Sequence, residues 1–368
     1  MQFKAKSKQL LKTLSIVNGA VERRNTIPVL QNIKIIAKDN KLDLYATDMD
    51  LMIKSTIECE VLQEGETTVN AQMFFDIMRK IPDDKEITAK NENDTILNIR
   101  YSDAKYNLPC IAASEFPNLE EEEIEEEIEV DAKEFAKMID KTRFAISNDE
   151  TRYYLNGLYL HTNKNNDKSQ LCNVATDGHR LAFSCVNFDK FKNAFGVIIP
   201  KKSVNEIRKV IENVQTVKIA ISRVKIRVSA GQNILISKLI DGEFPDYNKI
   251  LPKTNDKIIK INKKQFFDCV DRVSTVANDK HKSVKLTIEN DKMDLEVSTN
   301  DGSFAHEILP ISYKGEQIVT GFNSLYLMDV ISQIDNENLT IKLKDSMSPA
   351  LIESENMNCE FVIMPIRI

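Results

Sequence analysis

Three stretches of this sequence decide its fold when laid side by side: TVNAQMFFDIMRKI at 68–81, VIIPKKSVNEIRKVI at 197–211 and IVTGFNSLYLMDVI at 318–331. Each is a short extended run followed by a helix-like segment. In the first, Phe74, Ile77, Met78 and Ile81 stand at i, i+3, i+4 and i+7, the spacing that gathers apolar side chains on one helix face. An offset of 250 lands on Ser324, Leu327, Met328 and Ile331, and an offset of 130 on Val204, Ile207, Arg208 and Ile211. The register survives where the residues do not, which is the mark of a repeated module. Ala46-Thr47-Asp48 also recurs as Ala175-Thr176-Asp177, and Glu115-Phe116-Pro117-Asn118 as Glu243-Phe244-Pro245-Asp246, at offsets of 129 and 128.

Each copy opens with a helix of its own. Leu10, Leu14 and Val17 stripe the first, Phe135, Met138 and Ile139 the second, and Phe266, Cys269, Val270 and Val273 the third. Between the helices lie short alternating runs such as NIKIIA, KLDLYA, KIRVSA, VKLTI and MDLEVS, bounded by Asn, Asp, Gly and Lys, which read as strands. Two helices and many strands per unit predict an α+β module, repeated three times. The breaks fall at an acidic run near 120–128 and at the turn-rich LPKTND, giving domains 1–126, 127–253 and 254–368.

With 42% hydrophobic and 29% charged residues over 368 positions, the chain has ample apolar surface for folded domains. No stretch reaches the roughly 18 apolar residues of a membrane span. The opening MQFKAKSKQLLKTL lacks a signal peptide's apolar segment, so a cytoplasmic protein is expected. Six cysteines (Cys59, Cys110, Cys172, Cys185, Cys269, Cys359) are scattered without a C-x-x-C pair and read as reduced core residues. The net charge of -6 hides an asymmetry, because nine of the acidic residues lie between Glu120 and Asp131. Without them, 50 basic residues face 47 acidic ones, a net of +3. The acidic run reads as a solvated linker, and local basic surface stays available for an anionic partner.

Basic residues recur on the helices: Lys8 and Lys12; Lys133, Lys137 and Lys141 at i, i+4, i+8; Arg79 and Lys80; and Lys201, Lys202, Arg208 and Lys209. On any one helix this is an ordinary solvated face, but a triplicated scaffold aligns such ridges into one surface suited to phosphates. No helix-turn-helix or zinc finger pattern supports sequence-specific readout. P-loop, dinucleotide-binding, HExxH and nucleophile-elbow motifs are absent, and no metal or cofactor is expected. Asp48-Met49-Asp50 reads as a turn rather than a metal pair, since its repeat partner is Asp177-Gly178-His179. Asp177, His179 and Arg180 leave a hydrolase as a distant alternative. A repeat scaffold that binds only proteins is another.

TRYYLNGLYL, VATDGHRLA, LIDGEFPDYNKILP, TGFNSLYLMDV and the terminal FVIMPIRI, in this order along the whole chain, closely resemble the bacterial DNA sliding clamps. These are the β subunits of replicative DNA polymerase III, non-catalytic processivity factors. The resemblance implies a DNA-clamp fold and a head-to-tail homodimer closing a six-domain ring. Duplex DNA would be encircled without sequence specificity, and the replicative polymerase, clamp loader and other replication and repair proteins would be tethered through a peptide pocket.

Matched residue by residue, the resemblance implies DNA contacts at Arg24, Tyr153, Tyr154, Lys201 and Lys202. It implies a partner-peptide pocket of Leu155, Thr176, Gly178, His179, Arg180, Leu181, Pro245, Ile250, Asn323 and Tyr326 with the terminal Val362, Ile363, Met364, Pro365, Ile366 and Arg367. There Arg180 and Asn323 would hold peptide polar groups and Met364 would form an adaptable wall. Tyr106, on an edge strand, would meet Thr275 and Val276 of a second copy, with Asp301 and Glu307 as a thin acidic complement. Four positions depart from the family pattern: Gln72, Asp149 in an acidic loop, Lys249 and His281.

Overall fold

The alternation read from the sequence becomes strand in each module, and the apolar stripes become helices. The computed structural model describes residues 1–22, 26–92, 95–117, 124, 126–165, 168–188, 191, 193–277, 282–355 and 358–368. Its helices are α1 (Ser7–Val17), α2 (Ala71–Lys80), α3 (Ala132–Thr142), α4 (Lys201–Val210), α5 (Lys263–Ser274) and α6 (Ser324–Gln333). Each module runs strand, helix, a block of antiparallel strands, helix, then three more strands. In the second module this is Glu126–Asp131, α3, Gly157–Asn165, Lys168–Thr176, Arg180–Asn187, Gly196–Pro200, α4, Thr216–Ile221, Lys225–Ala230 and Asn233–Lys238.

The helices begin where side-chain oxygens replace absent backbone acceptors. Asn70, Asn262 and Asn323 accept from the amides of Met73, Gln265 and Leu325 at 2.9–3.0 Å, each the N-cap of its helix. Asp131 does the same for Lys133 and Glu134 at 2.9 Å. The stripes point inward as their period demands: Phe74, Phe135, Phe266, Leu10, Leu14 and Leu327 are all buried. Each such side chain contributes about 1.5–3 kcal/mol by leaving water.

The chain divides into two compact bodies, and the division runs through the second module. One comprises Met1–Ala136, Lys190–Asn193 and Lys202–Ile240, and the other Lys137–Asp189, Ala194–Lys201 and Asp241–Ile368. Strand pairing between modules is the cause. In the first body Leu51–Glu58 pairs antiparallel with Asn233–Lys238 inside a 13-stranded sheet. In the second, Arg180–Asn187 pairs antiparallel with Cys359–Ile363 inside an eight-stranded sheet, beside a separate four-stranded sheet.

One expectation is corrected. The acidic run is not linker throughout, because Glu126–Asp131 is a strand paired with Thr216–Ile221. Ile128 and Val130 alternate inward, the buried Glu126 accepts from the amide of Asn193 at 2.9 Å, and Glu127, Glu129 and Asp131 face water.

Candidate functional site

The tight turn after strand Lys168–Thr176 organises the surroundings of Arg180. Gly178 sits at φ +88°, where a side chain is strained, and an added Cβ there would also meet the Arg152 guanidinium at 2.5 Å. Asp177 Oδ1 accepts the amides of His179 and Arg180 at 2.9 and 3.0 Å, while its Oδ2 accepts from Arg180 Nε at 3.1 Å. The carboxylate is thus committed to the turn and the arginine, which removes the arrangement an acid–base pair with His179 requires. The same turn recurs in the first module, where Met49 takes φ +82° and Asp48 accepts the amides of Asp50 and Leu51.

Arg180 is held on every side and only 11% of its side chain is exposed. Beyond Asp177 it donates to Asp329 of α6 and, at 3.0 Å, to the carbonyl of Phe144. Its guanidinium lies 4.5 Å from the ring centre of Tyr326 and 5.1 Å from that of Phe144, a cation between two aromatic faces. The His179 ring stacks on Tyr326 at 6.2 Å, and burial pushes the Tyr326 phenol up. Arg180 therefore shapes the site more than it offers free donors. Asn323 Oδ1 is likewise engaged, capping α6 through Leu325 and Tyr326. Asp329 and Phe144 were not legible as members, since nothing local in the sequence joins them to Arg180.

The C-terminal segment closes this region. Strand Cys359–Ile363 pairs Val362 with Leu181 and Ile363 with Arg180. Met364 N then donates to His179 O, and Ile366 N to Gly321 O, both at 2.8 Å. Met364 itself is 38% exposed. Strand alternation puts Thr176, Leu181 and Val362 on one sheet face with Phe183, Cys172 and His161. Over that face lies the loop carrying Pro245 and Ile250. Phe244 stacks on Tyr159 at 4.8 Å, and the buried Tyr247 packs on Phe183 and donates to His161 Nε2 at 3.1 Å. Leu155 is buried at the end of the turn Glu150–Leu155, and Lys249 pairs with Asp246 at 3.4 Å.

Among the other expected residues, Tyr153 is 55% exposed and meets Tyr154 edge-on at 5.8 Å in that same turn, not on a strand edge. Asp149 caps the turn, accepting from Thr151 and from Arg152 Nε at 2.9 Å, and these hydrogen bonds hold its carboxyl below the usual range. The acidity of that loop is therefore largely spent internally. Lys201 donates to Asn148 at 2.7 Å in the second body, Lys202 pairs with Asp48 in the first, and Gln72 donates to Asp76 at 2.8 Å. Arg24 and His281 lie outside the described residues.

The lysine ridge on α3 needs a correction. Lys141 is buried and donates to Asp335 and to the carbonyl of Gln333, while Lys137 pairs with Asp335 at 3.3 Å. Tyr106 lies on strand Ala104–Ile111, whose outer edge is paired only at Cys110 and Ile111 among the described residues. Thr275 and Val276 follow α5, and Glu307 is taken by a two-point pair with Arg272, both contacts at 2.7 Å, so it offers little free charge.

Models of the DNA polymerase III beta subunit match in order: its N-terminal domain at residues 1–120, its central domain at 129–246 and its C-terminal domain at 248–367. A beta sliding clamp from Caulobacter vibrioides is 38% identical over 98% of both chains, and one from Haemophilus influenzae 33% identical over 100% of both. Among solved structures, a DnaN sliding clamp from Bartonella birtlesii bound to griselimycin superposes with a TM-score of 0.97 at 37% identity, and the beta subunit from Pseudomonas aeruginosa with 0.94 at 31%, each covering 100% of both chains. With every module matched across its length, this chain belongs to the DNA polymerase III beta subunit family, the beta sliding clamps.

Proposed function

We propose that this protein is a processivity factor that closes as a head-to-tail dimer around duplex DNA and tethers the replicative polymerase. The observation that carries the reading is the match of all three family modules, in order, over nearly the whole chain. Three modules per chain make a six-module ring from two copies by cyclic closure. Held by topology, such a ring needs no base contacts. Its cations (Lys201, Lys202, and Arg24 by family matching) meet phosphates and leave sequence unread.

The protein has no catalytic role in this reading and acts in the cytoplasm. Short peptides from the polymerase, the clamp loader and other replication and repair proteins dock on Thr176, His179, Leu181, Pro245 and the segment from Val362 to Arg367. In support, apolar side chains and a few fixed polar groups share that region, as peptide grooves require. Arg180 acts from behind as a rigid support, and Met364 as the adaptable wall.

Loading onto nicked circular plasmid, followed by linearisation, tests the topology. The protein is expected to remain on circles and to leave linear DNA. Equal loss from both forms would defeat the encircling mechanism.

A further inference from the structure

Cys172 and Cys185 face one another across two antiparallel strands. The Cys185 amide donates to Asn358 on the other side at 2.9 Å, so with respect to Cys172 the two form a non-hydrogen-bonded pair. Such pairs bring Cα atoms to about 4.5 Å, within the span a disulfide bridges. Facing partners of an antiparallel ladder carry their side chains on the same sheet face, so the two thiols are neighbours. Cys172 is fully buried and Cys185 8% exposed, with no disulfide in place.

Position gives the pair its consequence. From this pair towards the turn, the same-face pairs are Cys172 with Cys185, Val174 with Phe183, and Thr176 with Leu181, the last two residues belonging to the proposed pocket. Tyr247, which anchors the loop bearing Pro245 and Ile250, rests on Phe183 and His161, and His161 is in turn the neighbour of Cys172 in the sheet. A disulfide needs the sulfurs to close to about 2.05 Å. In a close-packed layer that movement must be taken up by the aromatic rings above it.

We propose that Cys172 and Cys185 are an oxidative modification site, a dithiol that a hydroperoxide converts to a cross-strand disulfide, and that this disulfide weakens peptide binding at the adjacent pocket. Cys185, the less buried of the two, releases its proton to solvent; its thiolate attacks one peroxide oxygen, the O–O bond breaks, and a sulfenic acid and hydroxide result. Cys172 sulfur then attacks Cys185 Sγ. The S–O bond breaks, and the Cys172 proton leaves with the hydroxyl as water. Two electrons pass from the sulfurs to the peroxide, giving one disulfide, one water and a hydroxide that takes up the proton released by Cys185 to become the second water.

The weakening of binding rests on the pocket reading above, and the test separates the two. The full-length protein is treated with hydrogen peroxide, blocked with iodoacetamide, and digested without reductant for mass spectrometry. A second aliquot is titrated against a fluorescein-labelled synthetic peptide, Gln-Leu-Ala-Leu-Phe. The expected result is a cross-linked Cys172–Cys185 peptide and a Kd raised about fivefold or more, the lower range of coupling between neighbouring sites. Dithiothreitol should restore it, and Cys185→Ala and Cys172→Ser should each be insensitive to peroxide. Alkylation of both thiols while the more accessible Cys59 and Cys110 are oxidised would overturn the site. A quantitative cross-link with unchanged Kd would overturn the coupling. If the reduced protein does not bind the peptide, the pocket assignment falls, and the cross-link alone decides the modification site.

Discussion

The backbone amide of Met364 donates to the carbonyl of His179 at 2.8 Å, one step beyond the last ladder pair of Arg180 with Ile363. This bond carries the C-terminal segment past the end of the sheet and sets Met364 beside the turn. A terminus ending in Pro365, Ile366, Arg367 and Ile368 would otherwise be expected to fray. Here a second bond, Ile366 to Gly321, pins it to another strand.

Deleting 364–368 should therefore abolish binding of a fluorescent polymerase peptide. The proposed dimer should survive, because its contact at Tyr106, Thr275 and Val276 lies outside the deleted segment and the ladder from Cys359 to Ile363 still holds the fold. Fluorescence anisotropy and sedimentation on the same sample read both quantities. Unchanged peptide affinity would place the pocket elsewhere.

Arg180 is the residue whose loss should be felt most in stability. Arg180→Ala leaves the Asp177 carboxylate and the Phe144 carbonyl short of a partner in a largely buried site. The expected cost is about 2–3 kcal/mol, in the range for hydrogen bonds to charged groups. Arg180→Lys should recover little, because an ammonium cannot span Asp177, Asp329 and Phe144 at once. Urea midpoints for the parent and both variants check this.

How much of this was legible follows from the range of each interaction. The helical stripes are local, and Phe74, Phe135 and Phe266 are buried as their spacing requires. The turn at Asp177 was legible from Asp-Gly, but the register it sets, which places Cys172 opposite Cys185, comes from the structure, because the scattered cysteines carry no local pairing signal. The strand Glu126–Asp131 was hidden by its acids, although Ile128 and Val130 alternate at the strand period. The Arg180–Asp329 pair spans 149 residues, and no local pattern could announce it. The burial of Lys141 had the same origin, because Asp335 and Gln333 come from the third module.

His161 predicts a pH dependence. Its Nδ1 donates to the carbonyl of Thr162 and its Nε2 accepts from Tyr247, so a second proton would force the latter bond to reverse, with the Tyr247 hydroxyl turning to accept. Burial holds its pKa below the ordinary 6.5. In acid the unfolded chain then binds the proton more readily than the folded one. Stability present above pH 6.5 is lost as pH falls through the folded value. Thermal unfolding across this interval should show a drop in midpoint that is smaller in His161→Gln. An equal drop in both would assign the effect to other groups.

In the proposed dimer the contact should be chiefly apolar, because Glu307 is already neutralised by Arg272 within its own chain. Tyr106→Ala and Val276→Ala are expected to remove about 1–2 kcal/mol each, weakening the dimer roughly a hundredfold together. Sedimentation velocity over a micromolar dilution series reads this directly. A double variant that stays dimeric at every concentration would exclude the placement.

Asp335→Asn offers a way to separate the proposed DNA attraction from stability at a single residue. It accepts from Lys137 at 3.3 Å and from Lys141 at 2.6 Å, so it holds two cations of the α3 ridge at once. Those hydrogen bonds keep its carboxyl below the usual range although burial opposes them. Asp335→Asn removes the charge while keeping the shape. Lys141, being buried, loses its counter-ion and should cost about 1–2 kcal/mol of stability. Lys137 is largely exposed and becomes free for a phosphate. If the helices face encircled DNA, the slope of log affinity against log salt should steepen by about one, the contribution of one added phosphate contact. Loss of stability with an unchanged salt slope would show that the α3 ridge does not face DNA.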